Sequence, residues 1–112
     1  MQLVEIAERL GLKTINEPAA DVEVVGGYAS DLLSDVLGKA KKNALWVTNQ
    51  KHQNVVGVAV MLDLAGVVIA GGIEPDANTL DKAAAENVAL YSTEMSMFEA
   101  VGKLYELGAR SC

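Results

Sequence analysis

The sequence predicts an α/β domain of three layers, in which a mainly parallel sheet of about four to five strands carries helices on both faces. Short runs of β-branched and apolar residues alternate along the chain with segments of helical periodicity, which is the pattern of repeated strand–helix units. Hydrophobic residues make up 51% of the chain but aromatic residues only 4%, so the core is aliphatic, as is typical of α/β layers. The 112 residues fit one domain, 1–112.

The first half of the chain begins with a predicted helix over 2–10, where apolar residues recur at spacings of three and four and charged residues occupy the other face. Gly11 is positioned to end this helix. A short strand is predicted over 13–15. The β-branched run at 22–25 predicts a second strand, which ends at a Gly-Gly pair and is followed by a helix over 31–37.

The second half repeats this alternation. A continuous apolar run at 44–47 predicts a strand buried on both faces. The stretch 53–64 is rich in valine and contains Gly57, which argues against a helix, but parallel strands on either side need a crossover, and we therefore predict a helix. Further strands are predicted at 67–70 and 89–91.

Two more helices complete the predicted fold. One follows the second Gly-Gly pair and begins at Asp76 or Asn78. The other opens at Ser96, which forms a Ser-x-x-Glu capping box with Glu99. This last helix is predicted to place five apolar side chains largely inward: Phe98, Val101, Leu104, Tyr105 and Leu107.

If the strands that end at positions 25, 47, 70 and 91 are parallel, the loops after them meet at one edge of the sheet, where ligands bind in open α/β folds. Glycines permit close backbone approach, hydroxyl and amide side chains provide directional hydrogen bonds, and helix N-termini favour anions. We therefore predict a binding site at this Gly-rich edge, although the same residues also suit ordinary turns and helix caps. The predicted site residues are Gly26, Gly27, Tyr28, Ser30 (also a predicted helix N-cap), Thr48, Gln50, His52, Gly71, Gly72, Ser92 and Thr93.

The formal net charge of −6 disfavours nucleic acid as a partner, because an acidic surface repels phosphates. The single cysteine, Cys112, has no intrachain partner for a disulfide, which suits a reducing cytoplasm. The start of the chain lacks the charged and apolar regions of a signal peptide, and the longest apolar stretch, 55–62, is too short to span a bilayer. We expect a cytoplasmic protein that does not contact a membrane.

Known catalytic and cofactor motifs are missing from the chain. Neither Gly-Gly pair belongs to a G-x-x-x-x-G-K-[ST] or G-x-G-x-x-G pattern. His52 is the single histidine, and it suits a polar helix start better than a general base. Asp31 and Asp35 are spaced to share a helix face and a divalent ion, although such pairs more often form a solvated face. We therefore predict no enzyme activity, no metal and no cofactor.

Four segments, in order along nearly the whole chain, resemble the DRTGG domain family: 21–36 (DVEVVGGYASDLLSDV), 44–54 (ALWVTNQKHQN), 68–76 (VIAGGIEPD) and 92–100 (STEMSMFEA). Asp21, Gly26 and Gly27 match the motif that gives the family its name, whereas Val22 and Val25 stand where its Arg and Thr would be. The resemblance implies an α/β domain similar to the N-terminal domain of HPr kinase/phosphorylase, with a regulatory role, and a homodimer for a stand-alone member. The kinase chemistry of that enzyme resides in a separate P-loop domain and is not implied for this chain.

The leading prediction is a non-catalytic regulatory module that binds a small metabolite or nucleotide at the Gly-rich edge. The alternative is a protein-interaction module, either a homodimer or a partner subunit of a larger enzyme, without a small ligand. Met95 and Met97 beside Phe98 suit such a contact surface, although core packing is the favoured role of these methionines. A small enzyme that uses His52 or the two aspartates, and a DNA-binding protein, are weaker alternatives.

Overall fold

Five helices and five strands alternate in the computed structural model, which describes residues 1–111. The elements, in chain order, are α1 Leu3–Leu10, β1 Lys13–Asn16, β2 Gly26–Ala29, α2 Leu33–Lys39, β3 Ala44–Thr48, α3 Asn54–Leu62, β4 Gly66–Ile69, α4 Ala77–Glu86, β5 Leu90–Ser92 and α5 Met97–Glu106. Each predicted helix and strand is present with small shifts of its ends, except the predicted strand at 22–25.

The sheet has the strand order β1-β5-β4-β3-β2. Neighbouring strands from β2 to β5 are parallel, and each is joined to the next by a helix, since parallel strands need a crossover. β1 lies at one edge and runs antiparallel to β5, with Lys13 opposite Ser92 and Thr14 opposite Tyr91. The predicted mainly parallel sheet is therefore confirmed.

Two hydrophobic clusters, one on each face of the sheet, make up the core. On one face, Val36 of α2, Val55 of α3 and Ala83 of α4 pack against the strands. On the other face, Leu3 of α1 and Leu104 of α5 do the same. The chain therefore forms three layers with helices on both faces, as the sequence predicts.

The ends of the helices follow the signals in the sequence. Gly11 ends α1 with a left-handed φ of 65°. At the start of α5, the hydroxyl of Ser96 accepts a hydrogen bond from the amide of Glu99 at 3.2 Å. α3 is helical despite Gly57, because the parallel strands β3 and β4 require this crossover.

The predicted strand at 22–25 is wrong. The amide of Val24 donates to the carbonyl of Met1 at 3.0 Å, and the carbonyl of Val22 accepts from the amide of Leu3 at 2.9 Å. Residues 22–24 therefore bond to the first residues of the chain, and the amide of Val25 donates to the carbonyl of Asn43, just before β3, at 3.0 Å. The β-branched residues satisfy a strand propensity, but their partners lie too far away in sequence to be inferred from the pattern.

β2 begins at Gly26, so the first Gly-Gly pair lies inside a strand rather than after one. Glycine within a strand often marks the close approach of another backbone. The amide of Gly27 donates to the carbonyl of Arg110 at 2.8 Å, and Gly27 also forms a parallel bridge with Ser111. The segment after α5 thus lies along the outer side of β2.

The prediction for the last helix is only partly correct. Leu104 is buried and Leu107 packs against the core, but Phe98 is 88%, Val101 37% and Tyr105 58% exposed. A helix that packs on one face of a sheet buries a single stripe of side chains along its length. Because apolar residues occur on several sides of α5, the sequence does not show which of them form the buried stripe. Among the described residues, no helix combines the length and apolar character needed to cross a membrane.

Candidate functional site

The carboxyl ends of β2, β3, β4 and β5 lie at one edge of the sheet, because these four strands are parallel. Ser30 directly follows β2, and Thr48 ends β3. Gly71 and Gly72 lie in the loop after β4, and Ser92 ends β5. The predicted loops after β3, β4 and β5 are thus brought together, whereas Ser30 alone of the first predicted loop's site residues follows its strand at this edge.

Asp31 connects the loops after β2 and β3. Its Oδ1 accepts hydrogen bonds from the hydroxyl of Thr48 at 2.8 Å and from the amide of Asn49 at 2.6 Å. Gln50 donates its side-chain amide to the carbonyl of Asp31 and its backbone amide to Oγ1 of Thr48, both at 3.1 Å. Because Thr48 is fully buried, these hydrogen bonds fix the two loops against each other.

Asp35 has partners of its own, so the two aspartates do not share a site. Asp35 accepts a hydrogen bond from the hydroxyl of Tyr28 at 2.8 Å and pairs with Lys39 at 3.2 Å. The hydrogen bond from Tyr28 holds the pKa of Asp35 below its ordinary value, and the bonds to Asp35 raise the pKa of Tyr28 and of Lys39. The predicted common face of Asp31 and Asp35 is wrong, because α2 begins only at Leu33.

Ser30 does not cap α2 as predicted, since Leu32 is the residue before the helix. Its hydroxyl instead accepts a hydrogen bond from the amide of Leu32 at 3.1 Å, which forms a turn ahead of the helix. The carbonyl of Ser30 accepts from the indole N–H of Trp46 at 2.8 Å. Ser30 therefore holds the end of β2 against β3.

His52 lies in the loop between β3 and α3. Its Nδ1 is 2.8 Å from Oδ2 of Asp76, the residue that precedes α4, and Nζ of Lys51 is 3.9 Å from the other oxygen of that carboxylate. The three side chains are exposed. Their contacts join the loop after β3 to the start of α4.

The second Gly-Gly pair turns the chain after β4. Gly71 and Gly72 have positive φ values of 82° and 69°, a region that favours glycine. The amide of Gly71 donates to the carbonyl of Met95 at 2.7 Å, and that of Gly72 to the carbonyl of Thr93 at 2.9 Å. These two amides are therefore not free to bind a ligand, because the loop after β5 accepts both hydrogen bonds.

Gly26 and Gly27 open β2 and therefore lie at the end of the strand opposite to the carboxyl edge. Gly27 and Tyr28 line a separate cavity of about 330 Å³ beneath α5, together with Val101 and Tyr105. The structure thus does not bring the two Gly-Gly pairs together.

The chain leaves the sheet in opposite directions after β4 and β5, since α4 packs on one face and α5 on the other. Such a divergence opens a crevice between the ends of neighbouring strands. A cavity of about 330 Å³ lies at this edge, between the loops after β4 and β5 and the turn from α1 into β1, and it is lined by Gly72, Ser92 and Thr93 together with Lys13 and Glu94. Ser92 is 7% exposed and its hydroxyl has no hydrogen-bond partner among residues 1–111. Because the completely buried side-chain oxygens in this part of the chain all have partners, the Ser92 hydroxyl is not completely buried, and Ser92 lines this cavity.

Sequence reasoning missed a larger cavity, of about 510 Å³, which is lined by α1, β5 and residues 17–21. This cavity exists because β1 runs antiparallel to β5, so that residues 17–21, which follow β1, lie beside α1. No local motif signals that arrangement, since it depends on the pairing of distant segments.

No protein-family model matches the chain, and no curated protein matches it. Among solved structures, the chain is similar to the CBS and DRTGG domains of the regulatory region of Clostridium perfringens pyrophosphatase, complexed with its activator, diadenosine tetraphosphate. The TM-score is 0.71 at 13% sequence identity, and the match covers 97% of this chain and 50% of that one. This chain therefore spans about half the length of that structure. The likeness concerns the fold, which is DRTGG-related.

Proposed function

We propose that this chain is a non-catalytic regulatory module of the cytoplasm, a single domain over 1–112, that binds a small metabolite or nucleotide at the carboxyl edge of its sheet. The observation that carries the proposal is the cavity of about 330 Å³ at this edge, between the loops after β4 and β5 and the turn from α1 into β1. Such a volume is typical of small-molecule sites. The similarity in fold to a regulatory region that is complexed with a nucleotide activator supports the proposal.

The predicted site residues have different roles in this proposal. Gly72, Ser92 and Thr93 line the cavity, and we place the ligand against them. The polar residues at the ends of β2 and β3 hold the neighbouring loops through Asp31, so they shape the edge without contacting the ligand. The first Gly-Gly pair lies outside the site.

The groups around the cavity suit a nucleotide with few phosphates. Lys13 provides a positive charge for a phosphate. The carboxylates of Glu74 and Glu94 and the hydroxyls of Ser92 and Thr93 line the same space, and they suit the hydroxyls and ring nitrogens of a nucleoside. We expect a monophosphate to bind more tightly than a triphosphate, because the two carboxylates repel additional negative charge.

Isothermal titration calorimetry with AMP, ATP and diadenosine tetraphosphate tests this proposal. Ser92→Ala should raise the Kd of the nucleotide that binds by about three- to tenfold, the effect of one hydrogen bond, and Lys13→Gln should raise the Kd of AMP more than that of adenosine. The matched controls, Ser34→Ala on α2 and Lys103→Gln on α5, should leave both values unchanged. Absence of binding by all three nucleotides, or equal effects in variants and controls, contradicts the proposal.

A second candidate function, self-association, is favoured by the outer face of α5. Phe98, Val101 and Tyr105 are exposed at spacings of three and four on this helix, and a contiguous apolar stripe is more informative than scattered exposed residues. Sedimentation velocity over a range of concentrations should show a dimer that Phe98→Ser weakens. Met61→Ser, which changes an apolar residue 74% exposed on α3, is the control. A monomer at all concentrations contradicts this candidate.

A further inference from the structure

The cavity of about 510 Å³ lies on the face of the sheet that α1 and α5 cover. It shares no lining residue with the cavity at the carboxyl edge. Val4, Ala7 and Leu12 give it an apolar side, and residues 18–20, Pro-Ala-Ala, add to this surface. A molecule with an aliphatic part therefore finds a wall on which to pack.

Tyr91 contributes a polar group to this cavity. The residue is 1% exposed, yet its hydroxyl has no hydrogen-bond partner among residues 1–111. Completely buried side-chain oxygens and nitrogens in the described chain all have partners, so the Tyr91 hydroxyl is not completely buried, and Tyr91 lines the cavity. Buried tyrosines usually satisfy this group, and a ligand in the cavity is positioned to do so.

Three acidic residues, Glu8, Glu17 and Asp21, line the same cavity, and no lysine or arginine of residues 1–111 is among its lining residues. Burial raises the pKa of the Tyr91 hydroxyl, and the negative charges of Asp21 and Glu17 raise it further. The cavity is therefore polar and negative at one side and apolar at the other.

We propose that this cavity binds a small organic cation, a primary ammonium group on a short aliphatic chain, at a site independent of the one proposed at the carboxyl edge. The carboxylates attract the ammonium group, the Tyr91 hydroxyl accepts one of its hydrogen bonds, and the apolar wall contacts the aliphatic part. Within residues 1–111, no three His, Cys, Asp or Glu side chains are grouped as ligands of one metal ion, which favours an organic cation over a metal held directly by three side chains.

Calorimetric titration with putrescine, spermidine and n-butylamine tests the proposal, with MgCl₂ and KCl at matched ionic strength as competing cations. Tyr91→Phe and Glu17→Gln should each raise the Kd of the tightest amine by about tenfold, since hydrogen bonds and ion pairs with a charged group are strong. Glu106→Gln is the matched control, because it removes the same charge from α5 at a position outside both cavities. The control should leave the Kd unchanged.

Tyr91→Phe should fold normally, because its hydroxyl has no partner to lose, and urea unfolding checks this. If that variant fails to fold, the comparison of Glu17→Gln with Glu106→Gln decides alone. Equal Kd values in these two variants would show that amines are attracted by the acidic surface in general and would overturn the proposal. Tighter binding of Mg²⁺ than of any amine, or no amine binding, would also overturn it.

Discussion

Replacement of Asp31 by Ala tests whether this carboxylate fixes the carboxyl edge of the sheet. The variant removes the acceptor for the hydroxyl of Thr48 and for the amide of Asn49. Thr48 is fully buried, so its hydroxyl proton is left without an acceptor. The amide of Asn49 lies in an exposed hydrogen bond, where water can replace the carboxylate.

The expected loss follows from these two environments. A buried donor without a partner costs about 1–3 kcal/mol, whereas an exposed hydrogen bond that water replaces costs at most about 1 kcal/mol. We therefore expect Asp31→Ala to lower the free energy of unfolding by about 2 kcal/mol, and Tm by about 8 °C for a chain of this length. Thr48→Val removes the donor that Asp31→Ala leaves unpaired. The double variant Asp31→Ala/Thr48→Val should therefore be about 1 kcal/mol more stable than the sum of the two single-variant losses predicts.

Urea unfolding measures both quantities. The fluorescence of Trp46 is a suitable signal, because the indole is fully buried and donates to the carbonyl of Ser30 beside the edge. Asp81→Ala on α4 is the control for charge and should change the free energy of unfolding by less than about 0.5 kcal/mol. If Asp31→Ala behaves like Asp81→Ala, or if the double variant is strictly additive, Asp31 does not fix the edge.

Three further predictions concern pH and glycine. The hydrogen bond from Tyr28, aided by Ser30 and Lys39, lowers the pKa of Asp35. The contribution of Asp35 to stability is therefore present above the ordinary carboxyl pKa and is lost as the pH falls through the lowered value. Asp35→Asn should reduce the fall of the urea midpoint as the pH drops below about 4, and an unchanged fall would refute this. The hydrogen bond to Asp35 raises the pKa of Tyr28. The contribution of the Tyr28 hydroxyl to stability is therefore complete below about pH 10 and is lost as the pH rises through the raised value. Tyr28→Phe should reduce the alkaline loss of stability in urea unfolding, with Tyr105→Phe as the control. Gly57 lies within α3 with open space around the position of a Cβ, so Gly57→Ala should raise the free energy of unfolding by about 0.5–1 kcal/mol. Gly72→Ala should instead lower it by about 1–2 kcal/mol, because Gly72 has a positive φ, and thermal unfolding of the pair should show opposite signs.

Much of the fold can be predicted because its signals are local. The apolar runs at β3 and β4 are continuous since both faces of these strands are covered, and Gly11 and Ser96 mark helix ends through their own backbone and side-chain chemistry. The parallel arrangement follows from the alternation of strands and helices. These features require knowledge of a few neighbouring residues only.

The candidate site was less predictable because its properties depend on distant pairing. The sequence places Gly71 after a strand, but it does not reveal that the carbonyl of Met95 accepts its amide. The run at 22–25 has strand propensity, but its partner is the start of the chain. The cavity beside Tyr91 likewise requires the antiparallel pairing of β1 with β5. Hydrogen bonds between segments that are distant in sequence thus decide which polar groups remain free to bind a ligand.

The segment along the outer side of β2 has a consequence for aggregation. An edge strand with free amides and carbonyls is a template on which another chain can add a strand, and Gly27 uses its amide within its own chain, with Arg110. Two copies of the protein that meet through α5 must therefore do so by side-chain contacts, without merging their sheets into one. Displacement of residues 110–111 would free the amide of Gly27 on the outer side of β2, where a strand of another chain could then add.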